Sequence, residues 1–278
     1  MTEIHSEKAT PAAGYPGPND EVLDAQARVC TGPHQARPLG RRGDDPDPGR
    51  ILDLILKSAA GELSWRERVS EAQMGAFFAA MTIRTRFGPD TNWRAAERIA
   101  FEARRSALEG LPPPIRFLLD PQIPYEGATP EEAIAVGSLR TILGGGHLEA
   151  ARTRQVCEAI LSGEVAPALQ AAVLIGQRMN IETNEEVRGY LDAVLPPEAI
   201  LEVEVSSLTH FGEPFDGNTR YFHPTLFVAA VRAAPGRASV LHGVDELPPT
   251  TGDPVDLLLD DPGPAPARAL PPPAPPLP

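Results

Sequence analysis

A hydroxyl, an imidazole and a carboxylate lie close together in the C-terminal half of the chain, at Ser206, His210 and Asp216. These are the residue types of a hydrolytic triad, in which a histidine takes the proton of a serine nucleophile and a carboxylate orients the histidine. Such a serine ordinarily sits in a Gly-x-Ser-x-Gly turn. No such turn surrounds Ser206, so we discount nucleophilic catalysis by this set.

Two other segments have the composition of phosphate or metal sites. Gly144-Gly145-Gly146-His147 is rich in glycine but lacks the Gly-Lys-Ser/Thr ending of a phosphate loop and follows a helix-like segment rather than a strand. The acidic pair Asp260-Asp261 has the right chemistry for Mg²⁺, but it borders a Pro-rich tail and is interpreted as a solvated charge run. We therefore predict no metal site.

Composition excludes several classes of protein. The net charge of −13 argues against a general nucleic-acid binder, and the basic pair Arg41-Arg42 is interpreted as a solvated loop. Two cysteines, Cys30 and Cys157, are too few for a disulfide framework and suit a reducing compartment. No apolar run is long enough to span a membrane. We expect a cytoplasmic protein, with a plastid as the alternative.

Both ends of the chain are expected to be disordered. Residues 1–49 are dense in Pro, Gly, Asp and Arg, and 261–278 form a Pro/Ala tail, so neither buries enough apolar surface to offset ordering entropy. Between them we expect a helical domain at 50–196 and the start of a parallel α/β domain at 197–260.

Capping residues and breakers locate several helices within the helical domain. Asn92 is positioned to cap a helix over 93–108, and Thr129, followed by Pro130, caps a helix that runs to Leu143. A further helix is expected over 147–161. The apolar run at 115–119 lies between proline clusters and fits either a buried strand or a packed connector.

The α/β part is predicted from apolar runs. Alternation over 201–205 indicates a strand with one buried face, and Pro235-Gly236 marks a turn from a helix into a second strand at 239–241. We expect these strands to be parallel neighbours, with a crossover helix over 224–234 between them.

One segment occurs twice in degenerate form, as 69–84 and as 165–180, each time after a Gly-Glu pair. We interpret the copies as related helical units of one domain whose helices pack together, with Ala76 and Ala172 at the contact. Chance similarity between two Ala-rich helices is the alternative.

Residues 160–186, together with 209–220, 225–231 and 240–243, resemble the anthranilate phosphoribosyltransferase-like family. That family shares its glycosyltransferase fold with nucleoside phosphorylases, and the resemblance covers roughly 50–260, so the chain looks divergent and C-terminally truncated. It implies an α-helical bundle domain followed by the incomplete start of a parallel α/β domain. It also implies phosphoribosyl transfer to an aromatic amine with Mg²⁺, as in tryptophan biosynthesis, with phosphoribosyl pyrophosphate as a partner and a homodimer formed through the helical domain.

The resemblance also implies the binding residues, although it identifies no catalytic one. Glycines after the first strand would let backbone N–H groups approach pyrophosphate, and an arginine would pair with phosphate. The residues matched to these roles are Gly212, Asp216, Gly217, Asn218, Arg220, His242 and Gly243.

This chain departs from the family at several phosphate-facing positions. Pro214 removes a backbone donor, while Glu213, Asp245 and Glu246 add negative charge beside an expected polyanion. We therefore expect weak or absent activity. Two alternatives stay open: a non-catalytic family member acting as a ligand-binding or dimerising interaction protein, and a truncated gene product.

Overall fold

The computed structural model describes residues 17–195, 208–212 and 224–242. The chain divides into two compact units, one within Gly14–Pro196 and one that contains the described residues after Pro197. The first is helical, and the second holds two parallel strands and a helix. The predicted fold class, a helical bundle followed by the start of a parallel α/β domain, is confirmed.

In the helical unit, five helices follow a residue whose side chain caps the first turn, and two others begin at a proline suited to it. Side chains of Asn19, Asp47, Ser70, Thr129 and Thr183 accept hydrogen bonds from first-turn N–H groups. The helices are α1 Asp20–Val29, α2 Pro48–Ala59, α3 Glu71–Arg84, α4 Ala95–Ala103, α5 Arg105–Glu109, α6 Pro113–Leu119, α7 Pro130–Leu143, α8 Ala150–Leu161, α9 Pro167–Asn180 and α10 Asn184–Val194.

The expectation of a disordered arm over 1–49 is wrong for residues 17–49, where α1 and the start of α2 form. Val22, Ala25 and Val29 share one face of α1 and are buried, as is Leu39 in the connection to α2. This short apolar face binds to the body of the bundle although the composition around it is that of a loop. The remaining part of the arm, 1–16, and the tail at 261–278 lie outside the described residues.

Three predicted elements differ from those observed. Residues 115–119 belong to helix α6, because Pro113 fixes a helical first turn. The helix expected over 93–108 starts at Ala95 and is interrupted at Arg104, which separates α4 from α5. The helix expected from residue 147 starts at Ala150. Boundaries shifted where tertiary contacts compete with local capping.

Eight of these helices form two sets of four with the same internal contacts. We call α1–α4 the first module and α7–α10 the second module. In each, the first helix packs on the second and third, and the second helix packs on the fourth. The third helices, α3 and α9, pack directly against each other and join the modules.

Helices α3 and α9 run parallel and approach closely through small residues. A Cβ on Gly75 would lie 2.0 Å from the carbonyl oxygen of Ala168, and a Cβ on Gly176 would lie 3.5 Å from Cδ1 of Ile83. Gly75 and Ala168 lie near the starts of the two helices, and Ile83 and Gly176 lie near their ends, so the helices run in the same direction. Ala76 and Ala172 are both buried, so the prediction that the two copies pack together in one helical unit is confirmed.

The second compact unit contains β1 Leu208–Gly212, α11 Pro224–Ala233 and β2 Ala238–His242. The strands are parallel, and their register runs from Leu208 opposite Ala238 to Gly212 opposite His242. The parallel arrangement with an intervening helix agrees with the prediction for the second strand and the helix, but the observed first strand is 208–212. The strand expected over 201–205 lies outside the described residues.

Candidate functional site

The strongest candidate site is the edge of the sheet where β1 and β2 both end. Gly212 and His242 are the last residues of the two strands and are direct register partners. In open α/β sheets, ligands bind in the crevice outside the carboxyl ends of parallel strands. The structure therefore brings together two of the predicted phosphoribosyl-binding positions.

Five predicted binding residues, Asp216, Gly217, Asn218, Arg220 and Gly243, lie outside the described residues. In the sequence, Gly243 follows the last residue of β2, and the other four fall within 216–220, after the end of β1.

Arg232 in the last turn of α11 is a positioning residue that the sequence analysis missed. Its guanidinium donates hydrogen bonds to the hydroxyl of Thr209 on β1 and to the hydroxyl of Ser239 on β2, the latter with an Nε to Oγ distance of 3.3 Å. Thr209 and Ser239 are register partners. Arg232 thus ties the helix to both strands at one place and holds the register that puts Gly212 beside His242. An arginine in an otherwise apolar helix was the available signal.

A charged cleft of about 240 Å³ lies in the helical unit. Arg104 donates to both carboxylate oxygens of Asp53, at 2.7 and 2.8 Å, and Arg50 pairs with Glu21. The Arg104 hydrogen bonds hold the pKa of Asp53 below its ordinary value. Because each guanidinium already has a carboxylate partner, the cleft presents no unpaired guanidinium to a ligand. Its lining is Asp47, Arg50, Asp53, Leu54, Lys57 and Arg104.

Neither cysteine has the properties of a nucleophile. Burial raises the pKa of the Cys30 thiol to about 12, and burial also raises the pKa of Cys157. The thiolate is the reactive form, so both thiols are poorly reactive near neutral pH. They are free cysteines in the structure.

The part of the chain that the structure describes shows neither a metal-binding cluster nor a membrane-spanning helix. There, no three His, Cys, Asp or Glu side chains are grouped so as to hold a metal ion. None of the helices over those residues is long and apolar enough to cross a membrane.

Comparison with known proteins agrees with this architecture. Residues 137–195 match the model of the glycosyl transferase family, helical bundle domain. An anthranilate phosphoribosyltransferase of Clavibacter michiganensis subsp. michiganensis is 26% identical over 105 residues, which are 38% of this chain and 30% of that protein. The chain thus spans less than a third of the length of that relative. No solved structure matches. The matched segment covers the end of α7 and all of α8, α9 and α10, and over it this chain is similar to the helical bundle domain of the glycosyl transferase family.

Proposed function

We propose that this protein binds phosphoribosyl pyrophosphate at the carboxyl edge of β1 and β2, and that it transfers the phosphoribosyl group to an aromatic amine slowly or not at all. The register pairing of Gly212 with His242 is the observation that carries this proposal. It puts a glycine and a histidine of the family pattern at the place where parallel sheets bind ligands.

The similarity to an anthranilate phosphoribosyltransferase supports the choice of ligand. Anthranilate is the corresponding acceptor, and the pathway would be tryptophan biosynthesis. Arg220 would pair with phosphate oxygens through two parallel N–H donors. A family-type active site would also use Mg²⁺, which neutralises pyrophosphate charge when bound. The described residues offer no cluster of acidic side chains for it.

Weak activity follows from the charges around the proposed site. Glu213, Asp245 and Glu246 stand next to the binding residues in the sequence, and each would repel a polyanion. Transition-state stabilisation in such reactions depends on donors and cations aimed at the developing charge. Acidic residues in their place favour a ligand-binding role over efficient catalysis.

Calorimetry with the purified 278-residue chain tests this proposal. We expect weak binding of phosphoribosyl pyrophosphate with Mg²⁺, weakened further by Arg220→Ala, and no turnover in an anthranilate fluorescence assay. Turnover at a family-like rate would overturn the assignment of weak activity. If neither the natural chain nor Arg220→Ala binds phosphoribosyl pyrophosphate, the assigned ligand is wrong. A non-catalytic interaction protein is then the alternative.

Two further properties stay predictions. Cytoplasmic localisation, with a plastid as the alternative, rests on cysteine content. The homodimer through the helical domain rests on the resemblance. The contacts between α3 and α9 support a pairing of the two modules within one chain instead.

A further inference from the structure

The two modules of the helical unit share a buried glutamate at the same position. Glu97 and Glu186 are each the third residue of the last helix of a module, and both are fully buried. Each accepts a backbone N–H from the segment that precedes the second helix of its module. The nitrogen to oxygen distance is 3.1 Å from Leu39 to Glu97 and 3.0 Å from Leu148 to Glu186.

Two further hydrogen bonds to each of the two glutamates also correspond. The capping residue of the last helix donates its N–H in both modules, from Arg94 to Glu97 at 2.8 Å and from Thr183 to Glu186 at 2.9 Å. A side chain near the end of the third helix donates in both, from Arg84 in the first module and Gln177 in the second. The modules therefore share a hydrogen-bonding scheme as well as helix contacts.

The contact between the modules is reciprocal. The loop after α1 reaches the end of α9, where the N–H of Gly32 lies 3.2 Å from the sulfur of Met179. The loop after α7 reaches the end of α3, where a Cβ on Gly145 would lie 3.5 Å from Cδ of Arg86. Both glycines have positive φ, 86° and 79°. The loop after the first helix of each module thus meets the end of the third helix of the other.

Reciprocal contacts of this kind define an interface between two like units related by a two-fold axis. The parallel pair α3 and α9 lies at its centre, since these helices hold the same place in their modules. The match to the helical bundle domain falls on the second module alone, whereas the first module has the same helix contacts.

We propose that the helical unit is an internal pair of two copies of one four-helix module, and that the inner face of α9 is a self-recognition surface whose partner is carried in the same chain. This face includes Ala168, Ala172 and Gly176, which leave room for the close approach of α3. Because the first module covers it, the face is closed to a second chain. The inference is independent of the phosphoribosyl chemistry proposed above.

The mass of the full chain in solution is the first test. Sedimentation across a wide concentration range should give a monomer of 29.7 kDa. A stable dimer that Leu191→Glu does not dissociate would overturn the proposal. Val187, Leu191 and Val194 on α10 are among the exposed apolar residues of the described part of the chain. A dimer that this variant dissociates would associate through α10, which agrees with an inner face of α9 that the first module covers.

Cleavage between the modules is the second test. A protease site inserted at Gln122, which is exposed in the connection between α6 and α7, allows the folded full chain to be cut into two pieces. The pieces should stay together as a one-to-one complex. Spontaneous separation of the two pieces would overturn the proposal.

A matched pair of variants shows whether the complex is held through α3 and α9. In the cleaved protein, Gly75→Leu should separate the pieces, because a side chain there meets the backbone of Ala168. Gly88→Leu should leave them together, because nothing lies within 4 Å of a Cβ at that position. If the pieces separate in both variants, or stay together in both, the assignment of the interface to α3 and α9 is wrong. If Gly75→Leu fails to fold, the cleaved protein with the natural sequence tests the proposal by itself.

Discussion

Arg84 and Glu97 form an ion pair from which solvent is excluded on both sides. Arg84 Nη1 lies 2.6 Å from Glu97 Oε1, and neither side chain has any exposed surface. The guanidinium also donates to the carbonyl oxygen of Thr91 at 2.9 Å, and the carboxylate accepts the backbone N–H groups of Leu39 and Arg94. One pair therefore fixes the end of α3, the start of α4 and the connection before α2.

Removing one charge of this pair should be strongly destabilising, because the other charge would stay buried without its partner. We expect Glu97→Gln to lower the free energy of unfolding by about 3–5 kcal/mol in urea denaturation. The control is Glu102→Gln on the same helix, which breaks an exposed pair with Arg105 and should cost less than about 1 kcal/mol. Similar losses in the two variants would contradict the importance of the buried pair.

The close approach of α3 to α9 leads to a second prediction about stability. Gly75→Ala places a methyl group against the carbonyl of Ala168 and should destabilise the protein by roughly 1–3 kcal/mol, because the helices must move apart. Gly88→Ala, where space is open, serves as the control in the same thermal unfolding experiment. A neutral Gly75→Ala variant would show that the helices are not in close contact.

The pH dependence of stability should contain a contribution from Glu186. Burial raises the pKa of this carboxyl, but N–H groups of Thr183 and Leu148 and the side chains of Gln177 and His147 outweigh it and hold the pKa below its ordinary value of 4.5. A carboxyl with a lowered pKa stabilises the folded state above its unfolded pKa, and this contribution is lost as pH falls below about 4.5.

The variant Glu186→Gln should therefore be destabilised by roughly 1–3 kcal/mol at neutral pH, and the difference should shrink in acid. Urea denaturation at several pH values measures this. Glu185→Gln, at the exposed neighbouring position, should follow the natural protein at every pH. A difference between Glu186→Gln and the natural chain that persists unchanged in strong acid would refute the assignment.

Ile181 provides a prediction in the stabilising direction. This β-branched residue follows the last residue of α9 with a φ of 64°, in the left-handed range that favours glycine, and the residue is 48% exposed. Ile181→Gly should raise the free energy of unfolding by about 0.5–1 kcal/mol, since relief of the left-handed strain exceeds the added chain entropy. Ile181→Ala relieves no such strain and is the comparison. A Tm that falls with glycine would show that Ile181 contributes packing not visible in its exposure.

Much of this architecture was predictable from sequence because its signals are local. The cap at Thr129, the breaker at Gly144-Gly145-Gly146 and the turn at Pro235-Gly236 each constrain the backbone of their own neighbours. The duplication of 69–84 as 165–180 also lies in the sequence, and buried small residues made a helix contact the natural interpretation.

Other features depend on contacts between segments that are distant in the sequence, and local sequence signals did not predict them. The apolar face of α1 has only three buried residues, too few to overcome a loop-like composition until the bundle supplies a surface for it. The burial of Glu97 and Glu186 depends on donors from distant segments, although Thr183 and Glu186 have the local spacing of a capping box. For the candidate site, the residue types came from the sequence. The placement of Gly212 opposite His242 required the parallel register, which depends on the pairing of two strands that are distant in the sequence.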